Sequence, residues 1–142
     1  MASRLIIDLL PDVGQKATRW LDVCRLRGTD PLVYCTWRGP SEQDALYAQG
    51  RTAPGPKVTM AKAWQSWHQM RRAWDAVPMQ SGKCMWRYDS ISPDWQTMID
   101  VADELGIEWA GRWKRFRESC HWQVTGGLTL AEARTVIEGT HP

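Results

Sequence analysis

The run Gln65-Ser66-Trp67-His68-Gln69-Met70-Arg71-Arg72-Ala73-Trp74-Asp75-Ala76-Val77-Pro78 changes character halfway along. Ala73 to Val77 predicts a strand, with Ala73, Asp75 and Val77 on one face and Trp74 and Ala76 on the other. A carboxylate among Ala73, Trp74, Ala76 and Val77 is costly to bury unless it meets a cation or a metal. His68 stands seven residues before it, at the end of a segment that begins near Arg51, carries Pro54, Gly55 and Pro56, and shows no sustained period. That segment predicts a long loop, and long loops in compact domains often carry function.

On the N-terminal side, Pro11 opens a predicted helix whose Val13, Ala17, Trp20, Leu21 and Cys24 share a face as far as Gly28. Leu32 to Trp37 is a β-branched and aromatic run between Pro31 and Gly39, and predicts a strand with Arg38 at its end. Ser41 and Asp44 resemble a capping box for a short helix running to Gly50. On the C-terminal side, Gly82 turns the chain into a hairpin partner at Cys84, Met85 and Trp86. Ser92 and Pro93 cap a helix with Trp95, Met98, Ile99, Ala102 and Leu105 on one face, ending at Gly106. Ile107 to Trp109 precedes a basic loop, His121 to Val124 predicts another strand, and Thr129 with Glu132 caps a last helix through Val136 and Ile137. Helices and hairpin-like strands without regular alternation predict an α+β fold, a small mostly antiparallel sheet with flanking helices. No Gly-rich phosphate loop and no internal repeat is present.

The 142 residues predict one domain over 1–142, and 43% hydrophobic with 24% charged residues exclude disorder, collagen repeats and a coiled coil. A net charge of +2 argues against a nucleic-acid binder. The excess gathers at Arg112, Lys114, Arg115 and Arg117 and at Arg71 and Arg72, which suits either a solvated basic face or attraction to an anionic polymer. No segment reaches the ~18 apolar residues that span a bilayer, and Leu5 to Leu10 is short and broken by Asp8, so no stable membrane insertion and a chain made in the cytoplasm without a signal peptide are expected. Cys24, Cys35, Cys84 and Cys120 form no Cys-x-x-Cys pair and are expected to be buried free thiols. Ten tryptophans against one phenylalanine and three tyrosines suggest rings where an apolar wall meets a wet site.

Of the three histidines, His141 is penultimate and expected to fray. His68, Asp75 and His121 would suffice for zinc, with water as a fourth ligand whose pKa falls toward ~7. Glu118, three residues before His121, is placed to take that water's proton. On spacing alone, each histidine reads more readily as a core or surface residue than as a metal ligand. His-x₆-Asp is not a common short metal motif, and it differs from the His-x-Asp of many non-haem iron oxygenases.

The opening run resembles the Ser-x-His-x-x-Gly-x-Ala-x-Asp motif of the zinc D-alanyl-D-alanine carboxypeptidase and L-alanyl-D-glutamate endopeptidase family, in its phage endolysin branch. Three further stretches fit the same branch in order: Cys35-Thr36-Trp37-Arg38-Gly39-Pro40-Ser41-Glu42-Gln43-Asp44-Ala45-Leu46-Tyr47-Ala48-Gln49-Gly50-Arg51-Thr52, Trp109-Ala110-Gly111-Arg112-Trp113-Lys114, and Phe116-Arg117-Glu118-Ser119-Cys120-His121-Trp122-Gln123. The resemblance implies a Hedgehog and D,D-peptidase type of fold, one zinc ion held by His68, Asp75 and His121, and Glu118 as the catalytic acid and base. It implies that Arg38 binds a substrate carboxylate or the developing oxyanion, with Ser66 and Gln43 near the cleft. Trp113 is a further candidate for the cleft wall. Arg71 stands where the motif has Gly, which predicts either a backbone that needs no Gly-only conformation or a shifted loop. Ala110 replaces a Gly, Cys120 a Pro, and Glu118 an Asp.

The expected activity is zinc-dependent hydrolysis of the peptidoglycan stem peptide between L-alanine and D-glutamate, causing host cell-wall lysis. Rivals are a D,D- or L,D-carboxypeptidase with the same centre, and a non-catalytic Trp-rich wall-binding module. The chain length predicts no separate wall-binding domain, a monomer is expected, and an endolysin without a signal peptide would need a membrane pore to act on the wall in the periplasm. Trp74 and Trp122, beside Asp75 and His121, are expected to pack behind the site.

Overall fold

The computed structural model describes residues 2–115 and 117–140, the last by its backbone only. His141, expected to fray, lies outside the described residues. Helix α1 (Pro11–Leu26) buries Val13, Ala17, Trp20, Leu21 and Cys24, the face predicted for it, and Gly28 follows its end at φ 90°. Helix α2 (Pro40–Ala48) begins with Pro40 after Gly39 and lacks the expected capping box. Ser41 is exposed in its first turn, and Asp44 Oδ1 instead accepts from the Ala63 N–H at 2.8 Å. Asp44 thus ties down the long loop. Helix α3 (Pro93–Leu105) is capped by Ser92 Oγ and closed by Gly106 at φ 71°. Helix α4 (Leu130–Thr140) has a reciprocal capping box: Glu132 N–H donates to Thr129 Oγ1 at 3.2 Å and Thr129 N–H to Glu132 Oε1 at 3.0 Å.

Among the described residues, five strands form one antiparallel sheet: β1 (Asp30–Cys35), β2 (Ala73–Gln80), β3 (Lys83–Cys84), β4 (Glu108–Trp109) and β5 (His121–Gln123). Their order is β1-β2-β5-β4, with β3 also on β2. The fold is α+β, as expected. β1 starts and stops two residues earlier than predicted, which leaves Thr36 and Trp37 beyond it, and β2 runs three residues past Val77. Asp75 lies opposite His121, and Trp74 opposite Trp122. On the other side an irregularity between Val33 and Cys35 brings Cys35 opposite Asp75. Residues paired across a ladder share a face. Cys35, Asp75 and His121 therefore come together on one face, and Trp74 and Trp122 on the other.

That second face is the main core. Trp20 lies 5.7 Å from Trp74 and 4.9 Å from Trp122 between ring centroids, and Trp109 stacks on Trp122 at 6.0 Å. Trp20, Trp74 and Trp122 are fully buried, so the strands that carry Asp75 and His121 are backed by buried rings, as expected for Trp74 and Trp122. Trp122 Nε1–H donates to Ala76 O at 3.2 Å, whereas the buried Trp74 Nε1 has no partner among the described residues. Replacing either by Phe loses ring volume, but Trp122→Phe also loses a hydrogen bond while Trp74→Phe removes an unsatisfied donor. Denaturant melts should show Trp122→Phe the less stable by about 1–2 kcal/mol; equal losses would mean that the indole N–H groups do not matter.

A smaller cluster of Met70, Ala133 and Ile137, with Leu10, Trp64, Trp67, Leu128 and Leu130 around it, packs α4 against the loop that carries His68. Arg71 ends this loop in a left-handed conformation, at φ 58°. The position thus has the left-handed backbone that glycine favours, a conformation that an arginine adopts at some cost. The side chain compensates: Nη1 donates to Asp8 O at 2.8 Å, and the guanidinium lies 4.9 Å from the Trp37 ring centroid. Arg71→Ala keeps the positive φ and loses both contacts, while Arg71→Gly loses the contacts and relieves the strain. Thermal melts should place the Gly variant above the Ala variant by about 1 kcal/mol; the reverse order would remove strain from the account.

All four cysteines are free, with Cys24 and Cys35 buried and Cys84 and Cys120 half-buried. Among the described residues no helix is long and apolar enough to cross a membrane.

Candidate active site

His68 reaches the site from the turns that close the long loop. Its Nδ1–H donates to Thr36 O at 2.8 Å, which leaves Nε2 facing Asp75 Oδ1 at 3.1 Å. Burial by itself would lower the His68 pKa, but the charge and hydrogen bond of Asp75 outweigh it and push it up to about 10. Burial would likewise raise Asp75, yet the charge and hydrogen bond of His68 hold it well below the usual carboxylate range. Metal-free, the two form a buried ion pair.

Gln123 settles how His121 is oriented. Its Nε2 donates to Glu108 Oε2 at 2.9 Å, so its Oε1 is turned to His121 Nε2 at 2.8 Å and accepts that proton. His121 Nδ1 is left with a lone pair. It is buried, makes no hydrogen bond among the described residues, and lies 3.5 Å from Asp75 Oδ1 and 3.8 Å from Glu118 Oε2. An unpaired buried acceptor is costly, and a cation would satisfy it. Donor atoms around a tetrahedral zinc at ~2.0–2.2 Å stand roughly 3.3–3.5 Å from one another, close to the separations about Asp75 Oδ1. The orphaned acceptor and the donor set of two imidazoles and a carboxylate therefore suit a zinc ion.

A second donor set shares two of these residues: Cys35, His68 and Asp75 offer ligand atoms within 4.8 Å of one another. Cys35 Sγ, however, sits 3.8 Å from His68 Nδ1, which is already bonded to Thr36 O, and accepts from Arg38 Nη2 at 3.5 Å. The one unengaged acceptor of the two sets is His121 Nδ1, which favours the set with His121.

Arg38 stands three residues past β1. Its Nη2 lies 3.5 Å from Asp75 Oδ2, and its Nη1 donates to Gln43 Oε1 at 2.8 Å. Gln43 is fully buried and donates to Ala61 O at 2.6 Å, so it holds Arg38 and the long loop from beneath and has no surface in the cleft. The cleft itself is about 330 Å³ and is lined by Arg38, Ser66, Trp67, His68, Asp75, Trp113, Glu118 and His121, among others. Ser66 Oγ accepts from His68 N–H at 3.3 Å, and the Trp113 ring lies 5.6 Å from that of His121. Seven of the eight expected residues thus meet at one cleft, with Gln43 directly behind it. Sequence reasoning missed Cys35 and Thr36 beside His68, which only the bulge and the loop bring there. Glu108 gave no local signal either, whereas Gln123 was signalled by its place two residues from His121 on one strand face.

A sequence profile of the D-alanyl-D-alanine carboxypeptidase family matches residues 59–124. The chain is 36% identical over 123 residues to the peptidoglycan L-alanyl-D-glutamate endopeptidase CwlK of Bacillus subtilis, covering 82% of this chain and 74% of that one. Two solved structures share the fold. The L-Ala D-Glu endopeptidase ChiX of Serratia marcescens matches with TM-score 0.60 and 21% identity over 88% of this chain and 89% of that one. A mutant of the vancomycin resistance D,D-pentapeptidase VanY from a VanB-type cassette, in complex with Zn(II), matches with TM-score 0.61 and 13% identity over 92% and 78%. With His68, Asp75 and His121 gathered beside Glu118 in one cleft, the chain is a metallopeptidase and belongs to the D-alanyl-D-alanine carboxypeptidase family.

Proposed function

We propose that this chain is a zinc-dependent peptidoglycan peptidase of the phage endolysin type, hydrolysing the stem-peptide amide bond between L-alanine and D-glutamate. The observation that carries this reading is the buried, unbonded Nδ1 of His121, aimed at the same Asp75 oxygen as His68 Nε2 and within 3.8 Å of Glu118. The choice of bond is supported by the Bacillus relative, which carries that activity in its name.

His68, Asp75 and His121 would hold one zinc ion, which when bound supplies Lewis acidity toward the scissile carbonyl and acidifies a water molecule. Glu118 Oε2 takes the proton of the attacking water and hands it to the departing amine, so that the amide is replaced by a carboxylate and a free amine. Arg38, held rigid by Gln43, binds a stem carboxylate or the developing oxyanion through charge-assisted hydrogen bonds. Ser66 orients the His68 turn, and Trp113 walls the cleft beside His121. The whole chain acts as one monomeric catalytic unit. It is made in the cytoplasm of the host and reaches the wall through a pore.

Digestion of purified peptidoglycan followed by mass spectrometry of new termini tests the reading. Stem fragments with a free D-glutamate amine are expected, and release of D-alanine alone would move the chain to the carboxypeptidase reading.

A further inference from the structure

We propose that Glu108, outside the cleft, is a positioning residue that couples the tautomer of His121 to the placement of Trp113. This rests on the zinc-peptidase reading of the site. One oxygen of Glu108, Oε2, accepts two N–H groups: Gln123 Nε2 at 2.9 Å and Trp113 Nε1 at 2.8 Å. Gln123 is 3% exposed, and its other amide atom, Oε1, receives His121 Nε2–H at 2.8 Å. A single carboxylate at the end of the sheet thus fixes both the amide orientation of a buried glutamine and the ring of a cleft tryptophan.

The chemical consequence follows from the symmetry of an amide. Without Glu108, nothing among the described contacts stops the Gln123 side chain from turning its NH₂ toward His121. Nε2 would then have to accept, and the imidazole proton would move to Nδ1, the atom whose lone pair faces Asp75 and Glu118. A proton there blocks coordination. The same loss frees the Trp113 indole, whose ring stands 5.6 Å from His121, so cleft shape and ligand competence change together. Second partners of metal-bound histidines are worth about 10–100-fold in metal affinity, which sets the scale of the effect.

Glu108 is solvent-exposed, so its variants should fold. The test uses the full chain with Glu108→Ala and Glu108→Gln. Three quantities are read: zinc affinity by competition with a chromophoric chelator, the Trp113 indole ¹H–¹⁵N resonance, and kcat and KM on stem peptide. Glu108→Ala is expected to weaken zinc binding about tenfold, move the indole N–H resonance upfield, and raise KM while kcat at saturating zinc stays within about twofold. Glu108→Gln, whose amide oxygen can accept both N–H groups, should restore all three. Unchanged zinc affinity in Glu108→Ala, or a Gln variant that behaves like Ala, would overturn the coupling. Chelator competition and the indole resonance need no turnover, so they decide the matter even if the proposed peptide bond proves wrong.

Discussion

Replacing Glu118 by Ala is expected to leave one zinc ion bound per chain and to lower kcat on stem peptide by about 10²–10⁴-fold, the usual contribution of a positioned acid and base. The separation of effects comes from geometry. Glu118 Oε2 lies 3.8 Å from His121 Nδ1, and its side chain is 40% exposed, whereas Asp75 and both histidines are buried. Asp75 and His121 are thus held by the sheet and its tryptophan backing and His68 by the loop packed on α4, while Glu118 sits on the open side of the cleft. Glu118→Gln should match Ala, because an amide cannot take a proton. Zinc content by elemental analysis beside kcat provides the check, and a fully active Ala variant would end the assignment.

Stripping zinc with a chelator should abolish hydrolysis, and one equivalent of zinc should restore it. Zinc should also stabilise the fold, by about 2.7 kcal/mol when present at 100 times its Kd. The stripped chain has its own pH signature. Asp75 is depressed, so its contribution is present above the ordinary carboxylate pKa of about 3.9 and fades as pH falls toward its folded value. His68 is raised to about 10, so its contribution is complete below about 6.5 and fades as pH rises through about 10. The ion pair therefore supports the metal-free fold fully between about pH 4 and 6.5. Zinc must displace the His68 proton, so its apparent affinity should climb from neutral pH toward pH 10, and the melting-temperature gap between loaded and stripped protein should widen with it. Scanning calorimetry across that range checks this; a gap independent of pH would show that His68 binds no displaceable proton.

How far such statements could be made from residues alone varied with the distance over which the cause acts. The faces of α1 and α3 were readable because helical period and end signals are local: Pro11, Ser92 and Gly106 do in the fold what they do in any helix. The capping box at Ser41 and Asp44 was misread although its spacing is correct. Asp44 has a competing donor, the Ala63 N–H nineteen residues away, and nothing in the local spacing announces it. Arg71 was undecided from the sequence for a related reason. Its side chain, bonded to Asp8 O and lying over Trp37, offsets a backbone conformation that the residue type argues against.

The amino-acid sequence by itself determined the chemistry available: two histidines, an aspartate in an apolar strand and a glutamate near the second histidine, in an order that resembles one peptidase family. It also determined that Trp74 and Trp122 would turn away from the site, because strand neighbours alternate faces. Only the tertiary structure decided which nitrogen of each histidine faces Asp75, that Cys35 would lie opposite that aspartate, that Gln43 would be buried behind Arg38, and that Glu108 would reach both Gln123 and Trp113. The physical reason is that these are hydrogen bonds and register choices between strands distant in the chain. A bulge of one residue moves a side chain to the other face, and an imidazole places its proton according to partners that no local pattern names.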